Sequence, residues 1–284
     1  MKSGKGSHHN ISVIVSSYNQ PRSLSLVLRG FAFQTDRDFE LIVADDGSSE
    51  PIQTQVEVYK KSVPFPVRFI TQKHEGIGKW RILNRSILES LGDQLIFCDG
   101  DCVPFLNLVE VYRKSYRPYR YLPGAVIRLG YAESADLTHD AIKRREHEKL
   151  ITREYRRRFA TIHYKNVIYG LLQVRDKPKL LGGNFSVDRR AIIEVNGFDE
   201  RFSGFGKGDS DIRNRLNNLG CEGKSLWNRA FACHLDHGIE GKKHTVSGPR
   251  RSKNRELYEE NRKKIISSRG LDRLLDQKKG GEKR

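Results

Sequence analysis

Short unbroken apolar runs alternate along the first third of the chain with stretches whose apolar residues recur at helical spacing. Ile11-Ser-Val-Ile-Val15 is followed by a helix-like segment from Ser23 to Phe33, with leucines at 24, 26 and 28, and then by the run Glu40-Leu-Ile-Val-Ala44. The alternation continues through Val67-Arg-Phe-Ile70, a helical segment from Gly78 to Ser90, and Leu95-Ile-Phe-Cys98. Continuous apolar runs of this length suit strands buried on both faces. Their alternation with helices predicts an α/β fold with a mostly parallel central sheet flanked by helices. In such sheets ligands sit beyond the carboxyl ends of the strands. Three of the runs end in polar or acidic groups, Ser17-Tyr-Asn19, Asp45-Asp46 and Asp99-Gly-Asp101. A polar ligand site assembled at that edge is the first functional expectation.

Further along, Ala141 to Phe159 reads as one basic amphipathic helix, with Ile142, Leu150, Ile151, Tyr155 and Phe159 on its apolar side. Leu180-Leu-Gly-Gly-Asn-Phe-Ser-Val187 reads as a strand interrupted by a glycine pair. Asp209 opens a helix carrying Ile212, Leu216 and Leu219, which Gly220 stops. The segment after Gly238 is polar and basic, partly helical or loosely ordered.

A chain of 284 residues, 37% hydrophobic, has the material for a buried core. No run approaches the roughly 18 consecutive apolar residues of a membrane span, and Met1 to Asn10 lacks a signal-peptide core, so a cytoplasmic protein is expected. Cys98, Cys102, Cys221 and Cys233 form no CxxC pair and are read as reduced thiols. The formal net charge of +17 is concentrated. Residues 141–179 hold 12 basic and 4 acidic side chains, residues 241–284 hold 15 and 6, and these two segments carry the whole excess. Such patches attract nucleic-acid phosphates, anionic lipid headgroups or a phosphorylated substrate, and charge alone does not choose among them.

Asp99 and Asp101, two positions apart at a strand end, can turn to one side and share a hard divalent cation such as Mg2+ or Mn2+. The competing reading is an ordinary acidic surface turn. Asp45-Asp-Gly-Ser48 is either an Asx turn or a pair of carboxylates placed to accept from a base or ribose, with Ser17, Tyr18 and Asn19 lining the same ring. Gly76-Ile-Gly-Lys79 lacks the phosphate-loop frame and no GxGxxG follows a strand, so neither an NTPase nor a dinucleotide fold is supported. Lys79 and Arg81 open a helix and can neutralise a diphosphate. Asp209 is either a helix cap or a carboxylate kept ionised by the helix dipole, fit to accept a proton. Before it, Phe202-Ser-Gly-Phe-Gly-Lys-Gly208 carries aromatics that can pack on a sugar ring and glycines that permit closure. His234 or His237, from His234-Leu-Asp-His237, can complete a metal shell, while no second His/Cys pair supports structural zinc.

Taken in this order, Val13-Ile-Val-Ser-Ser-Tyr-Asn19, Asp45-Asp-Gly-Ser48, Gly78-Lys-Trp-Arg-Ile-Leu-Asn84 and Asp99-Gly-Asp101 resemble the family 2 glycosyltransferases of GT-A fold. Gly182-Gly-Asn-Phe-Ser-Val187, Asn196-Gly-Phe-Asp199 and Gly204-Phe-Gly-Lys-Gly-Asp-Ser-Asp-Ile212 resemble the C-terminal motif of galactosyltransferase and chondroitin-polymerase-type enzymes. The resemblance covers about Ile11 to Gly238. It implies transfer of a sugar, most often UDP-linked, to an acceptor hydroxyl with inversion, and Mn2+ or Mg2+ as cofactor. It implies a nucleotide-sugar half over 11–104 after an extension 1–10, an acceptor and catalytic half over 105–240 with a basic insert 141–179, and a basic tail 241–284. Ser17, Tyr18, Asn19, Asp45, Asp46, Lys79, Arg81 and Asp99 would bind the nucleotide-sugar, and Asp99, Asp101 and His234 the metal. Gly182, Gly183, Asn184, Phe205 and Asp211 would line the acceptor or sugar subsite, and Asp209 would be the catalytic base. Gly208 stands where the family usually has an acidic residue. Implied partners are a nucleotide-sugar and a glycan or lipid-linked acceptor, not nucleic acid; the placement of charge, taken alone, gives the further expectation that the basic segments dock on the anionic inner face of a membrane. Competing readings are a basic nucleic-acid-binding protein and a catalytically inactive scaffold of the same fold.

Overall fold

A computed structural model of the chain describes residues 10–49, 51–76, 78–174, 176–204, 206–236 and 249–281. The first third folds as the pattern predicts: β1 (Ile11–Ser17), α1 (Pro21–Ala32), β2 (Glu40–Asp45), α2 (Ile52–Lys60), β3 (Val67–Thr71), α3 (Lys79–Glu89) and β4 (Gln94–Asp99). Nearly every residue of β1, β2 and β4 is buried, which is why these runs are unbroken rather than alternating. Successive residues feed opposite layers. Val13, Val15, Leu41 and Val43 pack with Leu24, Leu28 and Phe31 of α1, whereas Ile14, Ile42 and Phe97 pack with Trp80, Leu83 and Ile87 of α3.

The next elements are β5 (Cys102–Pro104), α4 (Leu108–Ser115), β6 (Arg120–Pro123), β7 (Ala125–Arg128), α5 (Tyr131–Asp136), α6 (His139–Lys143), α7 (Glu146–Lys149) and α8 (Arg153–Leu171). They are followed by β8 (Asn184–Asp188), α9 (Arg189–Glu194), α10 (Gly208–Asn218), β9 (Glu222–Gly223), β10 (Phe231–His234), α11 (Pro249–Asn261) and α12 (Leu271–Gly281). The main sheet has the order β3-β2-β1-β4-β8-β6-β9. Neighbours are parallel except that β8 runs antiparallel to both β4 and β6. A small sheet, β5-β10-β7, pairs β10 antiparallel to β5 and parallel to β7. The chain steps outward from β1 to β3 and then returns to place β4 on the other side of β1. The strand order reverses there, and in sheets of this kind ligands bind beyond the carboxyl ends of the strands at such a point.

Two sequence expectations change, and of the two alternatives for the end segment the helical one holds where it is described. The basic segment 141–159 is not one helix: Arg145 takes the left-handed conformation at φ 62°, and Thr152 starts a new helix by accepting from the Tyr155 N–H. Ile142, Ile151 and Phe159 are buried as expected, but from separate elements. The glycine pair 182–183 lies in a turn, and the strand begins only at Asn184. The polar end segment forms two packed helices where described, with Leu257, Tyr258 and Leu271 joining the core layer under α3 and α10.

Candidate functional site

The carboxyl ends of β1, β2 and β4 and the start of α3 assemble an acidic cleft around one lysine. Lys79 Nζ donates to Asp99 Oδ1 at 2.6 Å, and Ser16 Oγ donates to the same oxygen at 2.9 Å. Burial works against the Lys79 charge, yet Asp99, Asp209 and Asp101 together hold its pKa above the usual range. Two neighbouring carboxylates, Asp99 and Asp101, and the sequence-distant Asp209 thus act on a single lysine.

Asp101 and His234 meet because β5 and β10 pair, with His234 opposite Cys102 and the Leu235 N–H donating to Asp101 O at 2.8 Å. His234 Nε2 lies 3.5 Å from Asp101 Oδ2. Oxygen, sulfur and nitrogen donors of Asp101, Cys102 and His234 all fall within 4.8 Å of one another. Burial first, and Asp101 second, push the Cys102 thiol well above its ordinary pKa in the absence of a cation, and the hard donors of the cluster are the Asp101 carboxylate and the His234 imidazole. That donor set fits a divalent cation that keeps open positions for phosphate oxygens.

Asp46 is tied to the residue that precedes α3. Its Oδ2 accepts from the Gly78 N–H at 2.9 Å and its Oδ1 from Gln72 Nε2 at 2.6 Å. His74 Nδ1 sits 3.3 Å from Asp46 Oδ2, and the His74 ring stacks on Tyr18 at 4.3 Å. Tyr18 is 42% exposed, leaving an aromatic surface beside the β1 edge. Ser17 Oγ is buried without a partner among the described residues.

Asp209 stands in the first turn of α10 against the glycine turn. A Cβ on Gly182 would lie 2.6 Å from Asp209 Oδ1, and one on Gly183 would lie 2.9 Å from Cys102 Sγ and 3.6 Å from Asp99 Oδ2. Only glycines admit this approach. Burial raises the Asp209 pKa to about 6, Lys79 draws it down, Asp99 raises it and the Gly182 N–H lowers it. Its Oδ1 has no hydrogen-bond partner among the described residues. Gly208 is also forced, because a Cβ there would lie 2.3 Å from the Trp80 indole. That packing leaves no room for an acidic side chain before Asp209.

Other candidates are placed elsewhere. Asp45 is the Asx turn: its carboxylate accepts from the Ser48 N–H and Oγ and from Thr71 Oγ1. Asn19, at φ 50°, laces the β1 end to the next loop through Ser48 and Ser49. Arg81 turns to Glu75, Gln72 and Lys73 O, reaching the cleft only through Gln72. Asn184 is consumed between the two sheets, accepting from Tyr112 OH and donating to Ala125 O and Ala230 O. Asp211 is buried in an ion pair with Arg215 and accepts from Asn261. These two do not reach the cleft, because β8 pairing and helix packing claim their polar atoms. Phe205 and His237 lie outside the described residues.

Sequence reasoning missed Gln72, His74, Trp80 as a wall behind Gly208, and Asn254. Asn254, 1% exposed on α11, donates to Ser203 O and Gly206 O and accepts from the Ser203 N–H, so it pins the loop before Asp209. No local motif marks it.

This sheet order is that of the GT-A glycosyltransferase fold. A solved mannosyltransferase of Pyrobaculum calidifontis, in complex with GDP-Man and Mn2+, superposes with a TM-score of 0.59 over 90% of this chain and 69% of that one, at 14% identity. Residues 12–169 match the model of glycosyl transferase family 2, and residues 163–238 match that of the N-terminal domain of galactosyltransferase. The first match covers more than half of the chain, which belongs to glycosyl transferase family 2. An uncharacterised glycosyltransferase of Nostoc sp. is 30% identical over 109 residues, 37% of this chain and 33% of that protein. The chondroitin synthase of Escherichia coli is 24% identical over 242 residues, 80% of this chain and 34% of that enzyme. The chain therefore spans about a third of the length of these curated relatives.

Proposed function

We propose that the chain is an inverting glycosyltransferase moving a sugar from a UDP-linked donor to an acceptor hydroxyl in the synthesis of a polysaccharide, lipopolysaccharide or glycolipid. The observation that carries this reading is the gathering of Asp99, Asp101 and Asp209 around Lys79, with Asp46 bonded to the N–H of Gly78 immediately before that lysine. Similarity to a chondroitin synthase over 80% of this chain supports the substrate class.

Tyr18 and the stacked His74 offer a face for the base, while Ser17 and Asp46 border the nucleoside and Asp99 the ribose. Residues 11–104 supply this half and 105–240 the acceptor half, entered past Gly182 and Gly183. Asp101 and His234 would hold Mn2+ or Mg2+, which when bound neutralises diphosphate charge as a Lewis acid. Lys79, kept positive by its carboxylate neighbours, sits to stabilise charge growing on the leaving diphosphate. Asp209 accepts the acceptor hydroxyl proton as that oxygen bonds the anomeric carbon from the side opposite the departing diphosphate, which inverts the centre. The acceptor is presented by the anionic cytoplasmic face of a membrane, to which the basic segments attach peripherally. Among the described residues no helix is long and apolar enough to cross a membrane.

A panel of UDP- and GDP-sugars incubated with Mn2+ tests the reading through release of the nucleoside diphosphate. Release from a UDP-sugar that stops on chelation is expected. Absence of release from every donor, with wild-type folding verified, would contradict it.

A further inference from the structure

Helix α8 carries a stripe of large apolar side chains that the described residues leave uncovered. Tyr164, Val167, Ile168, Leu171 and Leu172 recur at i, i+3, i+4, i+7 and i+8 and are 45% to 80% exposed. The buried residues of the same helix are Phe159 and Asn166, and at about 100° per residue they fall on the opposite side. The stripe therefore points away from the body of the protein. The same outward side of the first turns is cationic, with Arg153, Arg156 and Arg157 exposed, and exposed Lys165 borders the stripe. Beyond the helix, Val174 and Leu181 are also exposed, and the chain then enters the Gly182-Gly183 turn against Asp209.

A contiguous apolar face of this kind marks an interaction surface. Its chemistry selects the partner. A protein groove would match the apolar half alone, whereas apolar side chains flanked by arginines, with a tyrosine between them, match the acyl boundary and headgroup layer of an anionic bilayer. We infer that α8 is an interfacial membrane helix. Val167, Ile168, Leu171 and Leu172 enter the acyl boundary, Tyr164 sits at headgroup level and Arg153, Arg156 and Arg157 rest on lipid phosphates. This inference rests on the proposed peripheral contact with an anionic membrane and names the element that makes it. It also brings the glycine turn to the lipid surface, so that a membrane-held acceptor meets Asp209 from that side.

Co-sedimentation of the full chain with phosphatidylcholine vesicles, with and without phosphatidylglycerol, tests it. The wild type is expected to bind the phosphatidylglycerol vesicles far better. The double variant Ile168→Glu with Leu171→Glu, at exposed positions that leave the core intact, should bind about a hundredfold more weakly. Arg153→Ala with Arg157→Ala should lose on the order of tenfold, and only on anionic vesicles. Both variants should retain wild-type UDP affinity with Mn2+. If the wild type binds neither vesicle, the membrane reading itself falls. If it binds and the glutamate variant binds equally well, α8 is not the contact and the membrane reading stands. If the glutamate variant instead dissociates a dimer in sedimentation velocity without altering vesicle binding, the face belongs to a second copy and the inference is overturned.

Discussion

Asp209 unites a raised pKa of about 6, a place in the first turn of α10 and an unpartnered carboxylate oxygen. A base with a pKa near the working pH combines the ionised form with useful basicity. Asp209→Asn is expected to lower turnover by about 10² to 10⁴ fold while leaving UDP affinity intact, measured by kinetics and calorimetry on the same preparation. Turnover of the wild type should fall about tenfold per unit below pH 6 as the base protonates. Stability has the opposite sign. Because the folded pKa is raised, the ionised carboxylate costs stability progressively from about pH 4, its unfolded value, to about pH 6, and fully above. The asparagine variant should therefore melt several degrees higher than wild type at pH 8, about 3 kcal/mol, with most of that difference gone at pH 4. Gly182→Ala places a Cβ against Asp209 Oδ1 and should reduce kcat without changing donor affinity; an unchanged kcat would remove this glycine from the positioning of the base. The acids at strand ends were legible because apolar runs fix where a buried strand stops. The fates of Asn184 and Asp211 were not, since their partners Ala230 and Asn261 lie 46 and 50 residues away.

Helix α10 is held in place by groups it does not contain. Arg215, fully buried, donates to Asp211 and to the carbonyls of Val195 and Gly197, while Asn261 of α11 donates to both Asp199 and Asp211. Asn254 of α11 fixes the loop leading into the helix, and Lys207 Nζ lies 4.3 Å from the Tyr258 ring centroid. The end segment thus frames Asp209. Asn254→Ala leaves backbone groups of the 202–206 loop without these bonds and should cost about 1–3 kcal/mol by denaturant unfolding. Its larger effect should be on turnover with acceptor, at unchanged UDP affinity. An equal loss of donor binding would show that α11 supports the whole fold rather than this loop. The sequence revealed α10 by its Ile212 and Leu216 spacing, but a basic, polar segment gives no periodic sign of two docked helices. In the 141–159 segment the apolar positions were right and the continuity was wrong, because a left-handed Arg145 leaves hydrophobic spacing unaltered.

At the scale of the molecule, the order β3-β2-β1-β4-β8-β6-β9 turns one edge into a collecting point. β1, β2 and β4 deliver Ser17, Asp46 and Asp99 directly, β5 and β10 bring Asp101 to His234, and the turn before β8 brings Gly182 and Gly183 to Asp209. The parallel half was readable from alternation, whereas the reversed β8 and the small sheet follow from pairings between short strands that carry little periodicity. The account stands on one claim: these acids form a single nucleotide-diphosphate site completed by a divalent cation. Calorimetric titration of UDP into wild type and Asp101→Ala, each with Mn2+ and with chelator, tests it most directly. The account predicts Mn2+-dependent binding to the wild type and its loss in Asp101→Ala; equal UDP affinity in both proteins with Mn2+ would contradict it.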